Sequence, residues 1–378
     1  STMVPARWDP ASNAPTVSRR ATASRFRSVS RSLYRWLLYP LAGLLSLCLV
    51  LLAWSYSWTF TSMGRMDYRA ALMAKLISVQ AQGELVMNAE TRQRSNENTV
   101  RWLGKREMRP VADIREIKVP GPAGDVPARV YVPESDSAGP LPLYLMIHGG
   151  GFWMGNDYRI EEPQARLIAD EADVIVVAVD YRLAPEHPWP AGFDDSYAML
   201  EWLRDNGASL GGDPTRIAVG GGSAGGNLSA AVALKARDTD GPDIGFLLLV
   251  VPSTDLTNRH RLSDLPPEQR MVLTAEHMQA MGAAYVPDPA KRSNPYASPL
   301  LADSHADLPP TYIITAEFDP LRDQGEALGE QIREAGGEVT VRRYPGVLHG
   351  FLGTPDIAQD AITLAAASLR AALQPPRS

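Results

Sequence analysis

Seven residues, Gly220-Gly221-Gly222-Ser223-Ala224-Gly225-Gly226, follow the apolar run Ile217-Ala218-Val219 and precede a small-residue helical stretch, Asn227 to Ala236. A strand, a sharp turn and a helix in so short a span leave the chain little freedom. The backbone has to reverse while passing close to its neighbours, and residues without a Cβ on either side of the serine, Gly221 and Gly225, permit that. A serine at the tip of such a turn is held in strained backbone geometry with its hydroxyl exposed. The plainer alternative is a glycine-rich turn with a bystander serine, since G-x-S-x-G also recurs by chance.

Around this turn, strand and helix alternate. Ile114 to Val119 and Ala128 to Val132 are short, alternating segments joined across a Pro-Gly turn, as in an antiparallel opening pair. Leu143 to Ile147 and Val174 to Val179 are unbroken apolar runs, the mark of strands buried on both faces, and the first ends in His148-Gly149-Gly150-Gly151. Arg159 to Glu171 reads as a helix with Leu167 and Ile168 inward, and Phe193 to Arg204 as another with Asp194 and Asp195 near its positive end. Gly211 to Pro214 is a turn, Ile217 to Val219 a third buried strand and Phe246 to Val251 a fourth. Thr311 to Thr315 and Val339 to Tyr344 complete the strands, and Leu321 to Ala335 and Asp356 to Leu373 the helices. This alternation predicts a mostly parallel α/β sheet. Asp255 to Asn294, with a helix at Ala275 to Met281, interrupts it as an insertion. Residues 66–108 predict two or three short helices with Leu72, Leu76, Val79, Leu85 and Val86 at apolar positions.

Residues 1–35 form a basic arm, rich in Pro, Ser, Ala and Arg, with seven Arg and one Asp, and are expected to be disordered. The arm carries +6 of a chain whose net charge is -6, leaving -12 for the rest, an acidic body that argues against a nucleic-acid partner. Trp36 to Phe60 is uncharged and exceeds the roughly 20 residues that cross a bilayer. Tyr34, Trp36 and Tyr39 flank one end and Trp54, Tyr56 and Trp58 the other, so a transmembrane anchor over 36–60 is predicted. Arginines on its N-terminal side outnumber the basic residues beyond it, which keeps the N-terminus cytoplasmic and puts the folded body on the periplasmic or extracellular side. A cleaved signal peptide, giving a secreted protein, is the rival. Its apolar region is usually about 7–15 residues long, shorter than this one.

Chemistry at Ser223 needs a base to take the hydroxyl proton and a carboxylate to orient that base. In an open α/β sheet such groups sit beyond the carboxyl ends of strands. Asp319 and His349 meet that condition, each following a strand, in the chain order Ser, Asp, His. Glu317 and Asp323 are rival carboxylates, Asp319 is also placed to cap the helix at Leu321, and His349 taken alone reads as a loop histidine. All three together at successive strand ends favour a catalytic triad of Ser223, Asp319 and His349. The oxyanion of an acyl intermediate needs pre-aimed N–H groups, and Gly150, Gly151 and Ala224 are assigned to it, with His148 and Gly149 supporting the loop. The His148–Gly151 turn itself opens neither a G-x-G-x-x-G nor a G-K-[ST], which argues against a nucleotide loop there. Phe152 and Trp153 are candidate walls of a substrate pocket; Met271, Met278 and Met281 read as core packing in preference to pocket lining. His187, His260, His277 and His305 read as structural or surface residues. With one cysteine, Cys48, and no H-x-x-x-H spacing, neither a disulfide within the chain nor a metal site is expected, and no cofactor is called for.

His148-Gly149-Gly150-Gly151, Asp180-Tyr181-Arg182-Leu183-Ala184-Pro185-Glu186, Gly221-Gly222-Ser223-Ala224-Gly225-Gly226, Asp319-Pro320-Leu321 and His349-Gly350-Phe351 resemble, in order, the motifs of the hormone-sensitive-lipase-like α/β-hydrolases, the bacterial family IV esterases. The similarity runs from about Ile114 to the C-terminus. It implies the α/β-hydrolase fold, a mostly parallel eight-stranded sheet flanked by helices over 109–378, with a helical cap made by 66–108 and 255–294. It implies the triad above and a serine carboxylesterase that acts on short- to medium-chain acyl esters through an acyl-enzyme. The alternatives are an arylacetamide or N-acetyl amide deacetylase and, from another class, a non-catalytic ligand receptor on this fold. Such receptors have lost the triad histidine, whereas His349 is present. Gly222 departs from the Asp or Thr common in the family at that position. The N-terminal anchor is absent from typical soluble members and is similar to the membrane-anchored arylacetamide deacetylase branch. The expected partners are a small-molecule ester and the membrane, with a homodimer left open.

Overall fold

The computed structural model describes residues 19–80, 85–103, 108–257 and 265–373. Residues 1–18 of the expected arm, His260 and residues 258–264 of the insertion lie outside the described residues. The chain divides into two units, Ser1–Ser57 and Trp58–Ser378. In the first, a single helix α1 spans Arg19–Ser57. The stretch 19–35, expected to lack structure, is therefore helical, because Arg and Ala favour helix and no Gly or Pro interrupts it. Leu38–Ser57 is long and apolar enough to cross a membrane by length and composition, with a mean hydropathy of 1.9 and none of it buried. It stops short of Phe60, which opens a small antiparallel ribbon, β1 (Phe60–Thr61) with β2 (Gly64–Arg65).

The second unit is built on eight strands: β3 (Asp113–Gly121), β4 (Gly124–Val132), β5 (Leu141–Ile147), β6 (Ile175–Val179), β7 (Gly212–Gly222), β8 (Phe246–Val250), β9 (Thr311–Phe318) and β10 (Val339–Leu348). Their order across the sheet is β10-β9-β8-β7-β5-β6-β4-β3. Only β4 runs antiparallel to its neighbours, as the short β3–β4 hairpin requires. The long crossovers make the remaining pairs parallel. Side chains of β5 point alternately to the two faces: Leu143, Leu145 and Ile147 enter one core, Tyr144 and Met146 the other. Helices α5 (Ala191–Asn206), α6 (Ala224–Asp238) and α8 (Arg322–Glu334) cover the first core, and α4 (Tyr158–Ala172) and α9 (Pro355–Leu373) the second. Each fully buried aliphatic side chain contributes about 1.5–3 kcal/mol by leaving water. Every residue of β5, β6 and β8 is buried, so the strands that aim the loops form the most rigid part of the fold.

β7, β9 and β10 are longer than the segments read from sequence. β7 begins at Gly212, inside the expected turn, because Gly212 pairs with Leu141 before the register shifts to Leu143 with Ile217. β9 extends through Ala316 to Phe318, and β10 continues past an irregularity between Tyr344 and Leu348. Both extensions carry the sheet up to Asp319 and His349.

Helices α2 (Tyr68–Gln80) and α3 (Ala89–Leu103) precede the sheet. The buried side of α2 is Ala70, Ala71 and Ala74, which pack with Met66 on Phe318 and Leu348 at the ends of β9 and β10, while Leu76 is exposed. Helical spacing of the larger residues thus pointed to the wrong face; close approach to two strand ends admits only small side chains. Leu85 and Val86 lie in the connection, since α3 starts after a reciprocal cap in which the Thr91 N–H donates to Asn88 Oδ1 at 2.9 Å and the Asn88 N–H to Thr91 Oγ1 at 3.1 Å. In the insertion, α7 (Ala275–Tyr285) is capped by the Thr274 hydroxyl, which accepts from the His277 N–H.

Candidate active site

Ser223 stands between β7 and α6 with φ 55° and ψ -115°, outside the regions ordinary residues prefer. Its backbone is tied on both sides: the Ser223 N–H donates to the Val250 carbonyl at 2.8 Å, and the Ser223 carbonyl accepts from Asn227 at 3.1 Å and Ser253 at 3.2 Å. The two glycines expected to make room do so, since a Cβ on Gly221 would lie 2.2 Å, and on Gly225 2.0 Å, from the Ile147 carbonyl oxygen. A Cβ on Gly222 would meet nothing nearer than the Val250 carbonyl oxygen at 3.7 Å.

His349, the first residue after β10, places Nε2 3.0 Å from Ser223 Oγ and Nδ1 2.8 Å from Asp319 Oδ2. A carboxylate only accepts, so Nδ1 carries the hydrogen and Nε2 is left as the acceptor facing the serine hydroxyl. Asp319 is fully buried, and its other oxygen accepts from the Leu321 N–H at 2.8 Å. Both readings of Asp319 therefore hold, one oxygen stabilising the turn into α8 and the other facing the imidazole. The rival carboxylates are used elsewhere: Glu317 accepts from the Gly346 N–H at 2.7 Å and braces the loop leading to His349, and Asp323 pairs with Arg322 at the surface.

The His148-Gly149-Gly150-Gly151 turn leaves the end of β5 beside Ser223. Gly150 and Gly151 adopt φ 114° and 61°, and neither N–H has a hydrogen-bond acceptor among the described residues. Ala224 opens α6, so its N–H is one of the unpaired donors of a helix start. All three residues border one cavity of about 760 Å³ that also reaches Ser223 and His349. Phe152 and Trp153 line it. Met278 and Met281 line it as well, contrary to the core role read from sequence, because α7 turns that face toward the serine; Met271 packs beside Met66 instead. Leu256, Leu273 and Thr99 add walls from the insertion and from α3.

His148 is buried and stacked on Tyr181 with ring centroids 4.2 Å apart. Burial pushes its pKa down to about 4, so the ring is neutral, and Nδ1 lies 2.7 Å from the Gly149 carbonyl. His305 is also buried and bonds the Pro299 carbonyl at 2.9 Å, a structural role as expected.

Several more residues at the site have contacts that the sequence does not reveal, although Asp180 and Glu186 stand in one of its motifs. Gln324 is buried in α8, and its Oε1 accepts from the Thr254 and Asp255 N–H groups at 2.5 and 2.8 Å, fixing the chain where the insertion departs. Arg92 of α3 donates to the Trp153 carbonyl at 2.5 Å and the Ala184 carbonyl at 3.0 Å and pairs with Glu186 at 2.5 Å. Glu161, in the first turn of α4, has its pKa raised to about 7 by burial, partly offset by the Gly149 N–H. Asp180, at the end of β6, is raised to about 6 by burial. Polar residues on helices give no periodic cue, so only their neighbours in space reveal them.

A sequence model described as the α/β hydrolase fold matches residues 144–353. The chain is 44% identical to carboxylesterase NlhH of Mycobacterium tuberculosis over 235 residues, 60% of this chain and 72% of that protein. It is 33% identical to an arylesterase of Saccharolobus solfataricus over 292 residues, covering 74% and 90% of the two chains. Its fold resembles that of EstE1, a thermostable carboxylesterase from a metagenomic library, with a TM-score of 0.70 and 36% identity over 76% of this chain and 97% of that one. With strand order, turn geometry and sequence in agreement, the chain belongs to the α/β-hydrolase family, among relatives that are carboxylesterases.

Proposed function

We propose that this chain is a serine carboxylesterase of the hormone-sensitive-lipase-like branch, with Ser223 as nucleophile, His349 as general base and acid, and Asp319 as the group that orients the imidazole. The observation that carries the reading is the continuous chain of contacts from Asp319 Oδ2 through His349 to Ser223 Oγ, 2.8 and 3.0 Å long, at the floor of the cavity. Ser223 Oγ adds to the ester carbonyl carbon as His349 Nε2 takes its proton. The carbonyl oxygen becomes an oxyanion, which the N–H groups of Gly150, Gly151 and Ala224 stabilise, each donor supplying about 3–4 kcal/mol in the transition state. The C–O bond to the alcohol then breaks, and His349 gives its proton to the leaving oxygen. A water molecule repeats the sequence on the acyl-enzyme and releases the acid. One ester and one water become one acid and one alcohol, and no cofactor takes part.

Residues 66–108 and 255–294 act together as a cap over the serine, which is supported by the cavity walls that Thr99, Leu256, Leu273, Met278 and Met281 provide. A largely apolar lining around Ser223 and His349 suits short- to medium-chain acyl esters. Leu38–Ser57 serves as an uncleaved anchor with the catalytic domain outside the cytoplasm. Supporting this are its 20 uncharged, largely apolar residues, which span about 30 Å as helix, and the arginines on its N-terminal side. Steady-state hydrolysis of p-nitrophenyl esters from acetate to decanoate, beside matched anilides, tests the reading: rates should peak at short to medium chains and favour ester over amide. Anilides cleaved faster than their esters would transfer the assignment to amide hydrolysis.

A further inference from the structure

The oxyanion loop consists of glycines, which have no conformational preference strong enough to hold a donor in place. Something outside the loop has to aim it. The Gly150 N–H shares a peptide plane with the Gly149 carbonyl, and in a trans peptide the two point in opposite directions. The Gly149 carbonyl is held by His148 Nδ1 at 2.7 Å, which sets the direction of the Gly150 N–H. The preceding plane joins the His148 carbonyl to the Gly149 N–H. Its carbonyl accepts from the Tyr181 hydroxyl at 3.0 Å, and its N–H faces the Glu161 carboxyl.

Both carbonyls of these two planes are thus bonded from behind, the Gly149 N–H lies beside the Glu161 carboxyl on the wall of the same cavity, and the Gly150 N–H is left open toward it. Glu161 borders that cavity and also a second, enclosed one of about 10 Å³ that His148, Asn156 and Asp180 line. Among the described residues no lysine or arginine acts on its carboxyl; burial and the Gly149 N–H are what it responds to.

We propose that Glu161 is a positioning residue of the oxyanion loop, acting through the Gly149 N–H on the peptide planes that aim the Gly150 donor. It touches no reacting atom, and it rests on the esterase reading above. Because it serves the charge that develops in the transition state, its removal should lower kcat with little effect on KM.

The test uses the full chain and three variants: Glu161→Leu, which removes the acceptor, Glu161→Gln, which keeps an oxygen at the same reach, and Glu161→Asp, which withdraws it. For p-nitrophenyl butyrate, Glu161→Leu should lower kcat by about 100-fold, the scale of one lost oxyanion donor, with KM within about 3-fold. Affinity for a trifluoromethyl ketone, which forms a tetrahedral adduct at the serine, should fall by a similar factor. Glu161→Gln should stay within about 5-fold of wild type, and Glu161→Asp should fall between, at about 10-fold down, which keeps the test decisive should the leucine variant not fold. Glu161→Leu or Glu161→Asp turning over at the wild-type rate overturns the role, as does a loss seen as fewer titratable active sites with kcat per site unchanged. A wild-type protein without ester turnover overturns the esterase reading itself and this role with it.

Discussion

The carbonyl oxygen of Ile147 lies 2.0 Å from the point where a Cβ on Gly225 would begin. Two neighbouring parallel strands, β5 and β7, end side by side, and α6 starts so close to the end of β5 that its second residue has no room for a side chain. The Ser223 turn and the His148–Gly151 loop are therefore held against each other by backbone contact. Gly225→Ala should cost several kcal/mol or abolish soluble expression, because both partners are backbone and neither can rotate away. Gly222→Ala should be tolerated, with unfolding free energy unchanged or raised by up to about 1 kcal/mol, since the site is open and its φ is not positive. Thermal unfolding of the two variants side by side checks both; equal stability would contradict the steric account.

Arg92 links α3 to the loop beyond the oxyanion glycines. Its guanidinium bonds the Trp153 and Ala184 carbonyls and pairs with Glu186, and its side chain is only 13% exposed. Arg92→Leu should lower stability by about 2–3 kcal/mol by stripping carbonyls of a charged donor, and should raise KM as α3 loosens beside the cavity. Denaturant unfolding and ester kinetics on the same sample measure the two effects, and a variant with wild-type KM would remove α3 from the substrate site.

Glu161 and Asp180 hold their protons to about pH 7 and 6, above the ordinary carboxyl range, because both are desolvated. The folded state thus binds protons that the unfolded state has released, and the stability these groups confer is complete below about pH 4 and lost as pH rises toward 7. His148 works in the opposite sense: with its pKa lowered to about 4 it confers stability above about pH 6.5, lost as pH falls. Comparing Glu161→Gln with wild type isolates one of these effects. The variant should gain on wild type by a few kcal/mol between pH 4.5 and 8, read from unfolding at each pH. A difference independent of pH would mean that Glu161 titrates normally.

No residue of the 20-residue stretch Leu38–Ser57 is buried. Full-length protein should sediment with membranes and need detergent for release, whereas a chain starting at Trp58 should be soluble and retain esterase activity. Full-length protein recovered in the soluble fraction at its full mass would contradict an anchor, and recovery at a mass lacking the first 57 residues would indicate a signal peptide.

How legible each part was in the sequence follows from what holds it. Strands such as Leu143 to Ile147 are buried on both faces, so unbroken apolar runs reveal them, and His148, Ser223, Asp319 and His349 stand at their ends. The oxyanion glycines and the serine turn are legible for the same reason: the backbone geometry they need excludes other residues. What the chain hides are contacts between remote polar groups. Arg92 reaches 61 positions along the chain to Trp153, and Gln324 reaches 70 to Thr254. The buried face of α2 misleads, because alanines rather than leucines fit against Phe318 and Leu348. The Met278 and Met281 walls depend on the direction in which α7 faces, which its own periodicity does not state.

The central claim is that Ser223 forms the acyl-enzyme with His349 as its base. Treating the full-length protein with a stoichiometric fluorophosphonate and locating the adduct by peptide mass spectrometry tests it most directly. One adduct on the peptide carrying Ser223, absent from Ser223→Ala and formed at least about 100-fold more slowly by His349→Ala, is the predicted result. An adduct on another residue, or Ser223→Ala hydrolysing p-nitrophenyl butyrate at the wild-type rate, would contradict it.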